Sequence, residues 1–169
     1  MYLNFLKKTG TLFYHTTNWY GAESIITAGI DFSECRGRQD FGSKTTSYYL
    51  NNDFNCATEF GRHRFFDSCA IIVYHIPIDL LKQQFDYLDL SIDHKKWKNV
   101  VRVSRNGNKT CEADDYDFVY GPQATNGARL IKEPKATPHP SENKYQLAIK
   151  TRKLAKKINS SIIGVIIYK

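Results

Sequence analysis

The chain has 169 residues, a length that suits one domain with a substantial core. Hydrophobic residues make up 41% and aromatics 14%, which excludes a disordered chain, and no apolar run is long enough to span a bilayer. The formal net charge of +7 is uneven: Lys150, Arg152, Lys153, Lys156 and Lys157 cluster near the C-terminus, while Glu112, Asp114, Asp115 and Asp117 form an acidic patch. Such a basic face attracts nucleic acid or an anionic small molecule, and a plain solvated helix face accounts for the same run.

The opening, from Met1 to Lys8, has no long apolar core and no small-residue cleavage site, so it does not read as a signal peptide. Thr11 to Thr17 is rich in β-formers and predicts a strand. Asn18 is placed to cap a helix carrying Trp19, Ala22, Ile25 and Ile26, and Gly29 to close it. Asp31 to Lys44 is polar, holds Gly37 and Gly42, and reads as a loop before a strand over Thr45 to Leu50. Asn52 or Asp53 then caps a helix with Phe54, Ala57 and Phe60, ending near Gly61.

Cys69 to Ile76 is the clearest strand, and Pro77 stops it. Phe85 to Leu90 alternates as a further strand, and Asp93 is placed to cap a helix with Trp97, Val100 and Val101 inward. Asp117 to Tyr120 is a short strand that Gly121-Pro122 ends as a turn. Lys132 to Asn143, with Pro134, Pro138 and Pro140, is a surface loop. Tyr145 to Ile149 is a strand, Thr151 to Lys157 a basic helix, and Ser161 to Tyr168 a last apolar strand. Short strands mixed with a few helices give an α+β class with a largely antiparallel sheet, in one domain over 1–169. Cys35, Cys56, Cys69 and Cys111 are widely separated and include no Cys-x-x-Cys pair, so no zinc site is expected and a reduced intracellular setting is favoured.

Several short motifs occur in one order: Tyr14-His15-Thr16, Gly29-Ile30-Asp31, Arg36, Asp40-Phe41-Gly42, Tyr48-Tyr49-Leu50, Tyr116-Asp117 with Gly121-Pro122, and Gln146-Leu147 before Thr151. Asp40-Phe41-Gly42 also matches a kinase metal-binding triplet, but the chain is too short for a kinase and lacks a His-Arg-Asp loop and a Gly-rich lid. Taken together, from Leu12 to about Lys153, the order resembles a group of small bacterial and fungal domains of the ADP-ribosyltransferase fold. Their wider class is the His-Tyr-Glu type, which includes the poly(ADP-ribose) polymerases and diphtheria toxin. The fold implied is a pair of split antiparallel sheets with flanking helices, and the substrate implied is NAD.

By this resemblance His15, with Thr16 beside it, matches the position that binds the adenosine ribose of NAD. Arg36 matches a basic position suited to the pyrophosphate. Phe41 and Gly42 belong to the loop that leads to the second motif, and Tyr48 falls where the group has Phe. Tyr49 matches the Tyr that stacks on nicotinamide. Strand alternation sends Tyr48 and Tyr49 to opposite faces, so one of the two is ordinary core.

Gln146 falls where the class carries a catalytic Glu. Breaking the nicotinamide bond builds positive charge on the ribose, which a carboxylate stabilises and an amide does not. Gln146 therefore leaves three readings: a slow or mono-transferring enzyme, rescue by another carboxylate such as Glu112 or Glu142, or a site that only binds NAD. Tyr49 and Gln146 are the expected catalytic residues, with no metal. The expectation is an NAD-dependent mono-ADP-ribosyltransferase with some NAD glycohydrolase activity, acting on a protein or nucleic-acid acceptor as a toxin or effector. The protein is expected to be a monomer, cytoplasmic or delivered into a host cell, without membrane association. The competing expectations are a non-catalytic module that binds NAD, ADP-ribose or nucleic acid through the same fold, and a basic nucleic-acid or host-factor binder in which the fold is incidental.

Overall fold

A computed structural model describes residues 11–35, 39–42, 46–107 and 110–168. Among these the chain forms seven strands and six α-helices, an α+β composition. The strands are β1 (Leu12–Asn18), β2 (Tyr48–Asn51), β3 (Cys69–His75), β4 (Tyr87–Asp89), β5 (Phe118–Ala124), β6 (Pro140–Ile149) and β7 (Ile162–Ile167). The helices are α1 (Trp19–Ala28), α2 (Phe54–Phe65), α3 (Ile78–Lys82), α4 (His94–Asn106), α5 (Gly127–Lys132) and α6 (Arg152–Asn159). The chain divides into two compact units, each assembled from separated stretches.

The first unit comprises Met1–Ile30, Leu50–Phe85 and Arg152–Lys169. Its sheet is built on β3, which pairs antiparallel with β1 and with β7. One face buries Leu12, Tyr14, Cys69, Ile71 and Val73 against Ala57 of α2. Two features set the seat of α2. The Thr16 hydroxyl donates to the Ala57 carbonyl at 2.9 Å. Gly61 has no side chain, and a Cβ there would collide with the Thr16 methyl and the Cys69 sulfur. Gly61 therefore lies inside the helix, which runs on to Phe65 rather than ending near Gly61 as its sequence suggests. Close backbone approach, not helix termination, is what this glycine supplies.

Helix starts follow the expected capping chemistry. The carboxamide oxygen of Asn18 accepts from the Gly21 N–H at 2.7 Å, and Asp53 accepts from Cys56 at 2.6 Å. Gly29 closes α1 at a positive φ of 91°.

The second unit comprises Asp31–Tyr49 and Asp86–Thr151. β5 lies between β4 and β6. β5 and β6 are antiparallel, whereas β4 and β5 are parallel. The parallel β4–β5 pair departs from a sheet expected to be largely antiparallel: α4 sits between β4 and β5 in sequence, and a helical crossover returns the chain in the same direction. Asp93 caps α4 through Lys96 N–H at 2.9 Å. Trp97, Val100 and Val101 face inward and join Phe41, Leu90 and Val119 in one core.

Gly121-Pro122 does not end β5; the strand continues to Ala124. Trp97 Nε1 donates to the Pro122 carbonyl at 2.8 Å, and a Cβ on Gly121 would press on Leu90 and Phe41. The dipeptide makes room for the core and receives a tryptophan hydrogen bond inside the strand. β6 begins at Pro140, within the stretch expected as a loop, and the short helices α3 and α5 fall where no helical period is visible.

Gly61→Ala is expected to destabilise the protein by about 1–3 kcal/mol, because helix and strand must separate to admit the methyl. Urea unfolding monitored by circular dichroism checks this. An unchanged midpoint would mean that α2 does not sit as close to β1 and β3 as described.

Candidate functional site

The Asp40-Phe41-Gly42 motif is held by a buried polar cluster in the second unit. Asp40 is 1% exposed. Its Oδ1 accepts from Arg105 Nε and Nη2, both at 2.7 Å, and its Oδ2 accepts from the Ala124 N–H at 3.0 Å. Burial pushes the Asp40 carboxyl upward, while Arg105 and the Ala124 N–H oppose that rise. A loop, α4 and β5 therefore meet on one carboxylate. No group of three metal-ligating side chains occurs among the described residues.

The next two residues are fixed as firmly. The Phe41 N–H donates to the Tyr49 hydroxyl at 2.8 Å, and the Phe41 carbonyl accepts from Lys150 Nζ at 2.9 Å. The Gly42 N–H donates to Ser104 Oγ at 2.9 Å, with Gly42 at a φ of 134° that only glycine adopts readily. Lys150 Nζ also reaches Ser47 Oγ and Asp114 Oδ1, each at 3.4 Å. The Lys150 side chain is 1% exposed, and burial lowers its pKa while Asp114 opposes the fall. Lys150 thus leaves the basic cluster into which its sequence neighbours place it; Arg152, Lys153, Lys156 and Lys157 are exposed on α6.

The expected site residues lie as follows. Phe41 and Tyr49 are together: their rings are 6.3 Å apart at 23°, in addition to the N–H···O bond. Tyr49 is half-buried, Tyr48 is buried at 2% exposure, and Gly42 is buried. Burial first, then the Asp40 charge, raises the Tyr49 hydroxyl well above an ordinary tyrosine, so it stays protonated at neutral pH. His15 and Thr16 are adjacent on β1 in the first unit, both half-buried. Thr16 turns towards α2, and His15, one residue earlier and paired with Ile72, faces the opposite side of the sheet. Arg36 lies outside the described residues.

Gln146 lies on β6 opposite Gly121 of β5. By strand alternation its side chain shares a face with Val119 and Ala148, the face packed against Trp97 and Phe41. It is half-buried, and its Oε1 is buried with no hydrogen-bond partner among the described residues. A buried polar atom left unpaired costs about 1–3 kcal/mol; Arg102 Nε and Asn159 Oδ1 are buried without a partner in the same way among the described residues.

Of the carboxylates that were candidates to stand in for a catalytic Glu, Glu112 forms an ion pair with Lys96 at 2.7 Å, and Glu142 is exposed on β6. Asp117 accepts from the Thr151 hydroxyl at 2.6 Å and from the Asp86 N–H at 3.1 Å, so it ties strand ends together. The residues that sequence reasoning missed are Ser104, Arg105 and Lys150. All three read as ordinary polar positions, and only their partners far along the chain reveal their task.

No protein-family model, no curated protein and no solved structure matches the chain.

Two predictions follow from the cluster. Asp40→Ala removes the buried carboxylate that accepts from Arg105 and from the Ala124 N–H, and is expected to cost about 3–5 kcal/mol in urea unfolding. A loss under about 1 kcal/mol would be too small for a buried ion pair.

Tyr49→Phe removes the acceptor for the buried Phe41 N–H and is expected to cost about 1–2 kcal/mol at neutral pH. The folded Tyr49 pKa lies above the ordinary 10.0, so its contribution is complete below that pH and is lost as pH rises through the folded value. The stability gap between wild type and Tyr49→Phe should therefore narrow above pH 10. A gap constant from pH 8 to pH 11 would contradict the buried hydroxyl.

Proposed function

We infer that the chain is an NAD-dependent mono-ADP-ribosyltransferase with accompanying NAD hydrolysis. The reading rests on the ordered motifs that resemble the ADP-ribosyltransferase fold and, above all, on the orphaned Oε1 of Gln146. In this reading Gln146 holds a hydroxyl of the nicotinamide-bearing ribose, and the loop fixed by Asp40 and Lys150 positions Tyr49 for the nicotinamide ring. The resemblance assigns the adenosine ribose to His15, with Thr16 beside it, and the pyrophosphate to Arg36. The bond from ribose C1′ to the nicotinamide nitrogen breaks, and nicotinamide leaves with the electron pair. An acceptor nucleophile or water then forms the new bond to C1′.

The amide at Gln146 supplies a hydrogen bond and no charge, so the cationic ribose gains less stabilisation than a carboxylate gives. Slow, single transfers fit that chemistry. The same absence of charge favours one other reading, a module that binds NAD without breaking it.

The test is release of nicotinamide from NAD, followed together with labelling of a cell lysate by labelled NAD. Wild type is expected to turn over slowly. Gln146→Ala should lower the rate by a further ~10²–10³, and Gln146→Glu should match or exceed wild type. Calorimetric NAD binding without nicotinamide release would select the binding module. Neither binding nor release would remove both readings.

A further inference from the structure

β7 ends the strand order of the first unit, with β3 on one side and no strand among the described residues on the other. Its sequence, Ile162-Ile163-Gly164-Val165-Ile166-Ile167, carries no charge and no proline. Ile163, Ile166 and Ile167 are 47%, 37% and 56% exposed. Proteins ordinarily blunt such an edge with Lys, Pro or a bulge, because its open row of N–H and C=O groups recruits another strand. The irregularity in the β3–β7 ladder lies at the Ile162–Ile163 end and leaves Gly164 to Ile167 in regular register.

The apolar surface continues from the strand onto α1. A cavity of about 260 Å³ lies between them, lined by Trp19, Ala22 and Ile26 of α1 and by Val165 and Ile167 of β7. Trp19 and Ile26 are themselves exposed.

The geometry points to a homodimer in which β7 pairs antiparallel with β7 of a second copy. The Tyr168 N–H donates inward to the Cys69 carbonyl at 3.0 Å. Alternation along an antiparallel strand then turns the N–H groups of Val165 and Ile167 outward. A two-fold axis normal to the sheet at Val165 sets Val165 opposite its own copy and Gly164 opposite Ile166. Each pair shares a face, as antiparallel pairing requires.

The strand is thereby complementary to itself, which is what an isologous contact demands. A charged partner strand finds no counter-charge along this edge, whereas a second copy offers the same neutral, β-branched surface. The axis also sets the two α1–β7 grooves side by side on one face. A dimer replaces the monomer expected from sequence, and it does not depend on NAD chemistry.

Sedimentation velocity from about 1 to 100 µM should show a monomer–dimer equilibrium. Hydrogen exchange at the Val165 and Ile167 amides should slow as concentration rises. Val165→Pro removes an outward N–H that no strand among the described residues uses, and should raise the dissociation constant about ten-fold or more while leaving the monomer folded.

Register has its own test. A Cβ on Gly164 meets nothing within 4 Å, so larger residues fit there. The double variant Gly164→Lys/Ile166→Lys opposes like charges and should abolish the dimer. The double variant Gly164→Glu/Ile166→Lys opposes unlike charges and should restore it to within about ten-fold of wild type. A wild type that stays monomeric across the range overturns the proposal. So does a monomer with concentration-independent protection at Val165, which would assign the edge to another part of the same chain. A Val165→Pro protein that dimerises normally overturns it as well.

Discussion

The second unit is organised by a carboxylate withdrawn from water. Asp40 accepts three hydrogen bonds, two from one guanidinium and one from a strand amide, and these come from α4 and β5. Such a group is costly to bury and more costly to strand, so its partners are constrained together. Once Asp40 is placed, the directions of Phe41 and Gly42 are restricted. The Phe41 carbonyl and N–H then find Lys150 and Tyr49, and the Gly42 N–H finds Ser104. The backbone of this motif is satisfied by side chains from α4, β2 and the end of β6 instead of by a ladder of its own.

This arrangement bears on what the candidate site is able to do. Tyr49 has its hydroxyl engaged and its pKa raised, so it serves as a fixed aromatic surface and not as a base. Lys150 is buried against Asp114 and two loop atoms, so its charge is spent on structure and not on an incoming anion. The Gln146 Oε1, set opposite a glycine on a face otherwise packed with apolar and aromatic side chains, is without a hydrogen-bond partner among the described residues, as is Arg102 Nε. Gln146 therefore keeps a hydrogen-bonding atom that the packing around it does not use.

Local chemistry was legible in the sequence, and non-local chemistry was not. Asn18, Asp53, Asp93 and Gly29 are readable as caps because a cap depends on residues three or four positions away. The α4 core positions Trp97, Val100 and Val101 are readable because helical period exposes them. Gly61 and Gly121-Pro122 misled because each carries a local breaker signal that tertiary packing overrides. The parallel pairing of β4 with β5 depends on where a crossover helix lands, which no local pattern encodes. Lys150 looked like one more member of a basic run, and only Phe41, more than a hundred positions earlier in the chain, shows its purpose. For the expected site, the motif residues were visible in order, while the polar groups that hold Phe41, Gly42 and Tyr49 in place were not.

The division into two interleaved units has a consequence for how the chain reaches its native state. The first unit draws on stretches near both ends of the sequence, and the second is threaded between them. During synthesis β1 and β3 emerge with one side of β3 open until β7 has been made. Pairing across such separations requires large loops to close before any contact rewards them, which places the chain among slow, cooperative folders. Fragments cut at Ile30, Tyr49 or Phe85 would each carry an incomplete sheet and an unprotected edge. The first unit is complete only once β7 has been made.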